Sequence, residues 1–155
     1  MTVLVKDIMV RQFDTIHERV PVEQAIRMVL NGKVRYTGHK TVSLIVVNDL
    51  QQMVGVITMF DILYHFRPDF LNFGIDGADL DWKGQIQLLV SKLKEKRVNQ
   101  VMSDNVIGAT PEEHLMVVID RMVKNKYRRL PVLENRKPVG VVYISDIYHH
   151  LFKNA

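Results

Sequence analysis

Apolar positions recur along this chain with two alternating periods, and the alternation happens twice. Val22, Ala25, Ile26, Val29 and Leu30 stand at i, i+3, i+4, i+7 and i+8, the spacing of one helix face. Adding 93 to each number gives Leu115, Val118, Ile119, Met122 and Val123, the same face again. After each helix the pattern turns β-like. Short apolar runs at 44–47 and 53–57 flank the polar stretch Asn48-Asp49-Leu50-Gln51-Gln52, and runs at 130–133 and 138–142 flank Glu134-Asn135-Arg136-Lys137. Val54-Gly55-Val56-Ile57-Thr58-Met59-Phe60-Asp61-Ile62 then returns as Val139-Gly140-Val141-Val142-Tyr143-Ile144-Ser145-Asp146-Ile147, offset by 85. The chain is therefore expected to be α/β, with one β-α-β-β-α unit folded twice. The first unit has an extended stretch at 13–16, a helix over 21–31, a hairpin, and a helix from Thr58 that ends before Pro68. The second has an extended stretch at 106–109, a helix opened by Pro111, a hairpin, and a closing helix over 145–152.

The repeat is not uniform. The offset falls from 93 at Lys33 to 86 at Leu44 and 85 at Gly55, so the first copy carries seven extra residues around 36–42 and one more in its hairpin turn. Residues 67–97 belong to neither copy: a Gly- and Asp-rich loop at 72–81 leads into a helix with Trp82, Ile86, Leu89 and Leu93 on one face. That helix is expected to pack across the module or onto a second subunit. The expected plan is a first repeat at 1–66, a linker with one helix at 67–97, and a second repeat at 98–155. The run from Asp76 to Asp81 looks superficially like a calcium loop but lacks the sixth-position glycine and the late glutamate, so no calcium is expected there.

Composition narrows the chemistry. At 155 residues, 47% hydrophobic and 25% charged, the chain is an ordinary globular length. It has no cysteine, which excludes disulfides, thiolate catalysis and cysteine-bound zinc, and its six histidines are not spaced for a metal. No Gly-x-Ser-x-Gly elbow or phosphate loop is present, and no catalytic residue is assigned. Its longest apolar runs fall far short of a membrane span, and residues 1–11 lack the zones of a signal peptide, so a cytoplasmic location without membrane contact is expected. A net charge of +4 favours anionic partners. The basic residues concentrate at 92–97, which reads as a solvated helix face, and at 124–129, which runs into an apolar strand. Nucleic acid is the last-placed partner, because no aromatic stacking platform accompanies the first run.

Three further pieces complete the pattern. Val5-Lys6-Asp7-Ile8-Met9 matches Val98-Asn99-Gln100-Val101-Met102 ahead of each copy, Leu130-Pro131-Val132 lies in a central strand, and Gly-x-x-x-x-x-Asp segments end at Asp61 and Asp146. Together these resemble a tandem pair of cystathionine-β-synthase (CBS) domains, the arrangement called a Bateman module, over nearly the whole chain outside 67–97. The resemblance implies two domains packed through their sheets about a pseudo-two-fold axis. It also implies two clefts between them that take adenine nucleotides, and association into a flat homodimer.

In that family the Ser/Thr-x-x-Asp segment contacts ribose, which points to Thr58 and Asp61, with Gly55 admitting close backbone approach. A carboxylate accepts from the two neighbouring ribose hydroxyls. The same spacing also describes a capping box, with Thr58 as the N-cap. Tyr143 replaces the threonine in the second copy while Asp146 remains. Either the second cleft binds differently or Tyr143 plugs it, and one competent site, in the first copy, is favoured. Arg128 and Arg129 offer charge to phosphates, and since strand residues alternate, at most one of them is expected to face a given cleft. By family position, adenine would meet Thr15 and Ile16, or Gly108 and Ala109, with Ile45 and Pro131 nearby. The leading expectation is a regulatory module that senses AMP, ADP or ATP, ahead of S-adenosylmethionine, and passes a conformational change to an unnamed effector protein. The alternative is a ligand-free dimerisation or interaction scaffold.

Overall fold

The computed structural model describes residues 3–32, 43–74, 82 and 84–153. The extra residues of the first copy at 36–42 and the calcium-like run at 76–81 lie outside them. The first repeat comprises a 3-10 turn (Val5–Asp7), β1 (Thr15–His17), α1 (Val22–Leu30), β2 (Ser43–Val47), β3 (Met53–Thr58) and α2 (Met59–Phe66). A second 3-10 turn (Asp69–Phe73) and α3 (Gln85–Glu95) form the linker. α4 (Val98–Val101), α5 (Leu115–Asn125), β4 (Arg129–Glu134), β5 (Lys137–Tyr143) and α6 (Ile144–Phe152) follow.

The periodic helix faces fold as their spacing dictates. Val22, Ala25 and Val29 of α1 and Leu115, Val118 and Met122 of α5 are buried, against the inner faces of two separate sheets. In the first sheet β1 runs parallel to β2, with Ile16 opposite Val46, and β2 runs antiparallel to β3. The second sheet pairs β4 and β5 antiparallel around Asn135 and Arg136, both at positive φ, a two-residue turn that follows the strand twist.

Two expectations need correction. The extended stretch at 106–109 shrinks to a single parallel bridge, Ala109 with Val132. Ala109 N–H donates to Pro131 O and Leu133 N–H to Ala109 O, so extending this ladder toward residue 107 requires an N–H from Pro131, which has none. The equivalent bond forms in the first repeat, from Ile45 N–H to Asp14 O at 3.2 Å. The second correction concerns α5, which begins at Leu115 rather than at Pro111. His114 is its N-cap, with Nδ1 accepting from Met116 N–H at 3.0 Å. The Pro111 and Glu113 carbonyls instead accept from Lys6 and Val5 N–H, which holds residues 111–113 outside the helix. Arg121 ties the same loop to α5 through a two-pronged pair with Glu113 and a bond to Gly108 O. That guanidinium holds the Glu113 carboxyl below the usual carboxylate range.

The two halves exchange their lead-in segments. Val5, Ile8 and Met9 sit in the core built from α5, β4, β5 and α6, while Val98, Val101 and linker residue Leu93 sit in the core built from the first repeat. Isolated bridges join the halves in matching pairs: Leu4 with His114 and Pro21 with Arg97, then Val10 with Val141 and Val56 with Ser103. Under the offsets of 93 and 85, each pair maps onto the other. This is the pseudo-two-fold relation expected of the repeat. Val5 and Val98 have no exposed surface, and burying a valine is worth about 1.5–3 kcal/mol, so separating the halves would expose strongly stabilising contacts. Ile45, Val47, Val141 and Tyr143 close the interface between the sheets. Helix α3 packs on α1 and α2 through Leu93, and Trp82 stacks near Phe70.

Candidate functional site: a cationic cleft between the repeats

Strand β3 ends at Thr58, whose extended backbone turns directly into α2. Its hydroxyl accepts from Asp61 N–H at 3.1 Å, and Asp61 Oδ2 accepts from Thr58 N–H at 2.9 Å and from Thr58 Oγ1 at 3.0 Å. The capping box is therefore formed. Asp61 has a further partner from the other repeat: Ser103 Oγ donates to its Oδ1 at 2.8 Å.

The cap is not sealed. A cavity of about 710 Å³ opens beside it, within the size range of small-molecule sites. One wall carries Val56, Thr58, Phe60, Asp61 and Leu63 of the first repeat. The opposite wall carries Lys126, Arg128, Arg129 and Pro131 of the second, and Ser103, Asn105 and Val106 connect the two. Three cations thus face one carboxylate, and the N-terminal end of α2 adds partial positive charge. Such a site suits an anion that also carries hydroxyl donors for Asp61. One turn along α2, burial pushes the His65 imidazole below its usual pKa, with Lys96 acting in the same direction.

Of the residues singled out from sequence, the cavity brings together Thr58, Asp61, Arg128, Arg129 and Pro131. Both arginines line it, contrary to the alternation argument, because β4 begins at Arg129 and Arg128 precedes the strand. The other positions lie elsewhere. Gly55 does admit close approach, but to protein: a Cβ there would lie 2.6 Å from Ser103 O and 2.7 Å from Met102 Sδ. Ile16 is buried in the first core and Thr15 is exposed on β1, and neither lines the cavity. The backbone segment beside Asp61 comes instead from Asn105 and Val106, which lie in no strand, because the cleft joins unlike parts of the two copies. In the second copy Asp146 has no exposed surface and Tyr143 only 5%, packed with Ile45, Val47 and Val141. In this conformation neither presents a surface to a ligand.

Sequence reasoning missed Ser103 and Lys126. Lys126 was visible only as part of the basic run, and its left-handed backbone (φ 57°) at the end of α5 brings it to the cleft. Ser103 sits one residue past the lead-in motif, at the position matching Val10 of the first copy, where nothing in the pattern marks it.

The sequence profile of the CBS domain matches residues 5–67 and 98–153. Among curated proteins the chain is 28% identical over 143 residues to an uncharacterized protein, MJ1225, of Methanocaldococcus jannaschii, covering 92% of this chain and 40% of that one. It is 23% identical over 144 residues to a homoserine O-acetyltransferase of Methanohalobium evestigatum, covering 92% of this chain and 23% of the enzyme. The chain thus spans less than half the length of these relatives. Its fold is shared with the CBS domain pair of protein MJ0100 in complex with 5′-methylthioadenosine and S-adenosyl-L-methionine (TM-score 0.69, 22% identity, 100% of each chain covered). It is shared also with CBSX2 in complex with AMP (TM-score 0.70, 22% identity, 97% of each chain). With both copies matched and their lead-ins exchanged across a pseudo-two-fold, the chain belongs to the CBS domain family and is a tandem pair, the Bateman arrangement.

Proposed function

We propose that this chain is a regulatory module that binds an adenine nucleotide, AMP, ADP or ATP, in the cleft between its repeats. The observation that carries the reading is the cavity itself, which sets Thr58 and Asp61 of one repeat opposite Lys126, Arg128 and Arg129 of the other. Asp61 would accept from ribose hydroxyls, the three cations would meet phosphate, and Phe60, Val106 and Pro131 would supply apolar contact for the base. S-Adenosylmethionine, with no phosphate and a net positive charge, would leave the same cations without a phosphate partner. No residue is assigned a catalytic role, and no cofactor is required. Because the ligand touches both repeats, binding would favour one relative angle of the halves, and an effector protein would read that angle through its own differential affinity. Such a sensor would work in the cytoplasm, and among the described residues no helix is long and apolar enough to cross a membrane.

Calorimetry with AMP, ADP, ATP and S-adenosylmethionine tests this. We expect heat with at least one adenine nucleotide, and an affinity reduced about 10- to 100-fold in Asp61→Ala, the scale of a lost hydrogen bond to a charged group. Undiminished binding in that variant would place the ligand in another cleft. The absence of heat with every ligand favours the scaffold alternative, for which the buried Tyr143 and Asp146 of the second copy are the supporting observation.

The module is also proposed to form a homodimer through α2 and α6. Phe60, Leu63 and Tyr64 on one helix and Tyr148, Leu151 and Phe152 on the other are all exposed, Phe60 at 78%. Patches of this kind mark association surfaces. Sedimentation is expected to give a dimer for wild type and a monomer for Leu63→Lys with Tyr148→Lys, and a wild-type monomer at high concentration would refute the pairing.

A further inference from the structure

Asp61 serves two masters. Its carboxylate has about four acceptor positions, and three are already filled, by Thr58 N–H, Thr58 Oγ1 and Ser103 Oγ. A ribose offers two adjacent hydroxyl donors. One finds the remaining position; the other needs a position that a protein donor must vacate.

The geometry indicates which donor yields. Thr58 N–H is fixed by the backbone, and Thr58 Oγ1 is held by accepting from Asp61 N–H. Among the described residues, the Ser103 side chain makes no such second tie, its hydroxyl donating to Asp61 Oδ1. Its backbone is fixed independently, by paired bonds with Val56 (Ser103 N–H to Val56 O at 2.8 Å, Val56 N–H to Ser103 O at 2.9 Å). Its hydroxyl can therefore rotate into the cavity, which it lines, while its backbone stays in place.

We infer that Ser103 is a specificity-determining residue of this cleft: its hydroxyl mimics one ribose hydroxyl on Asp61 and so sets how strongly the site distinguishes ribose from deoxyribose. The inference rests on the nucleotide reading above. In wild type the second ribose hydroxyl only exchanges with Ser103, so losing it costs little. Without the serine hydroxyl, a deoxynucleotide would leave an acceptor of a part-buried carboxylate empty beneath the ligand, and sites built to bond a hydroxyl reject the analogue that lacks it.

Calorimetric titration of wild type, Ser103→Ala and Ser103→Thr with AMP, 2′-deoxy-AMP and 3′-deoxy-AMP tests this. For wild type we expect both deoxy analogues to bind within about threefold of AMP. For Ser103→Ala, AMP should tighten about threefold to tenfold and at least one deoxy analogue should fall about tenfold or more behind it. Ser103→Thr, which restores a hydroxyl, should return the wild-type ratio. A purely structural role for Ser103 would weaken all three ligands together. AMP binding with a deoxy-to-ribo ratio unchanged by Ser103→Ala overturns this inference and leaves the nucleotide reading standing. No binding of AMP, ADP or ATP to wild type overturns both.

Discussion

Gly55→Ala is expected to lower the free energy of unfolding by about 1–3 kcal/mol, the cost of overpacking a filled site. The added Cβ would lie 2.6 Å from Ser103 O, a backbone atom held by its bond from Val56 N–H. No rotamer change relieves that contact. Relief requires moving the lead-in segment that carries Val98 and Val101 into the first core, so the strain reaches fully buried positions. Gly140→Ala is the symmetry-related control. Its nearest neighbours are Met9 Sδ at 2.8 Å and Met9 Cγ at 3.0 Å, with Val10 O farther away at 3.1 Å. Methionine turns about three bonds, so this substitution should cost clearly less. Urea unfolding of both variants measures the difference. Equal losses, or no loss at Gly55, would show that the lead-in segments do not clamp the repeats as described.

Gly55 also illustrates what the sequence conveyed and what it withheld. The helix faces of α1 and α5 and both hairpins were legible because each depends on neighbours within a few residues, and period alone identifies them. The exchange of lead-ins was not: an apolar Val5 or Val98 is equally at home in either core, and nothing local says which one takes it. The late start of α5 and the missing ladder at 106–109 have the same origin. Both depend on hydrogen bonds with distant partners, the carbonyls taken by Val5 and Lys6 in one case and the absent N–H of Pro131 in the other. At the site, the residues whose chemistry is distinctive, Thr58, Asp61 and the paired arginines, were legible as individuals. The resemblance set them on an inter-domain cleft, but the rest of its wall was not legible, because the cleft joins α2 of one copy to β4 of the other. Thr15 and Ile16, chosen from the same copy as Asp61, therefore lay outside it, while Ser103 and Lys126 lay within.

The combined substitution Lys126→Glu with Arg128→Glu is expected to weaken ATP binding about 100-fold, while adenosine shifts by less than about threefold. Both side chains are exposed and line the cavity wall opposite Asp61, so reversing them leaves the buried cores untouched. The effect scales with ligand charge: each reversed charge replaces an attraction by a repulsion, and a triphosphate senses both while an uncharged nucleoside senses neither. AMP should fall between them. Since the cations are exposed, raising salt should weaken ATP binding to wild type and narrow its gap to the variant, as screening beyond about 8–10 Å predicts. Arg129 is kept in the variant because it lies on β4 opposite Tyr143, where substitution would disturb the sheet as well as the ligand. Calorimetry on the three ligands reads the ordering directly. If adenosine and ATP weaken by the same factor, these residues shape the cleft without meeting phosphate, and the assignment of its cationic wall fails even where the ribose contact to Asp61 survives.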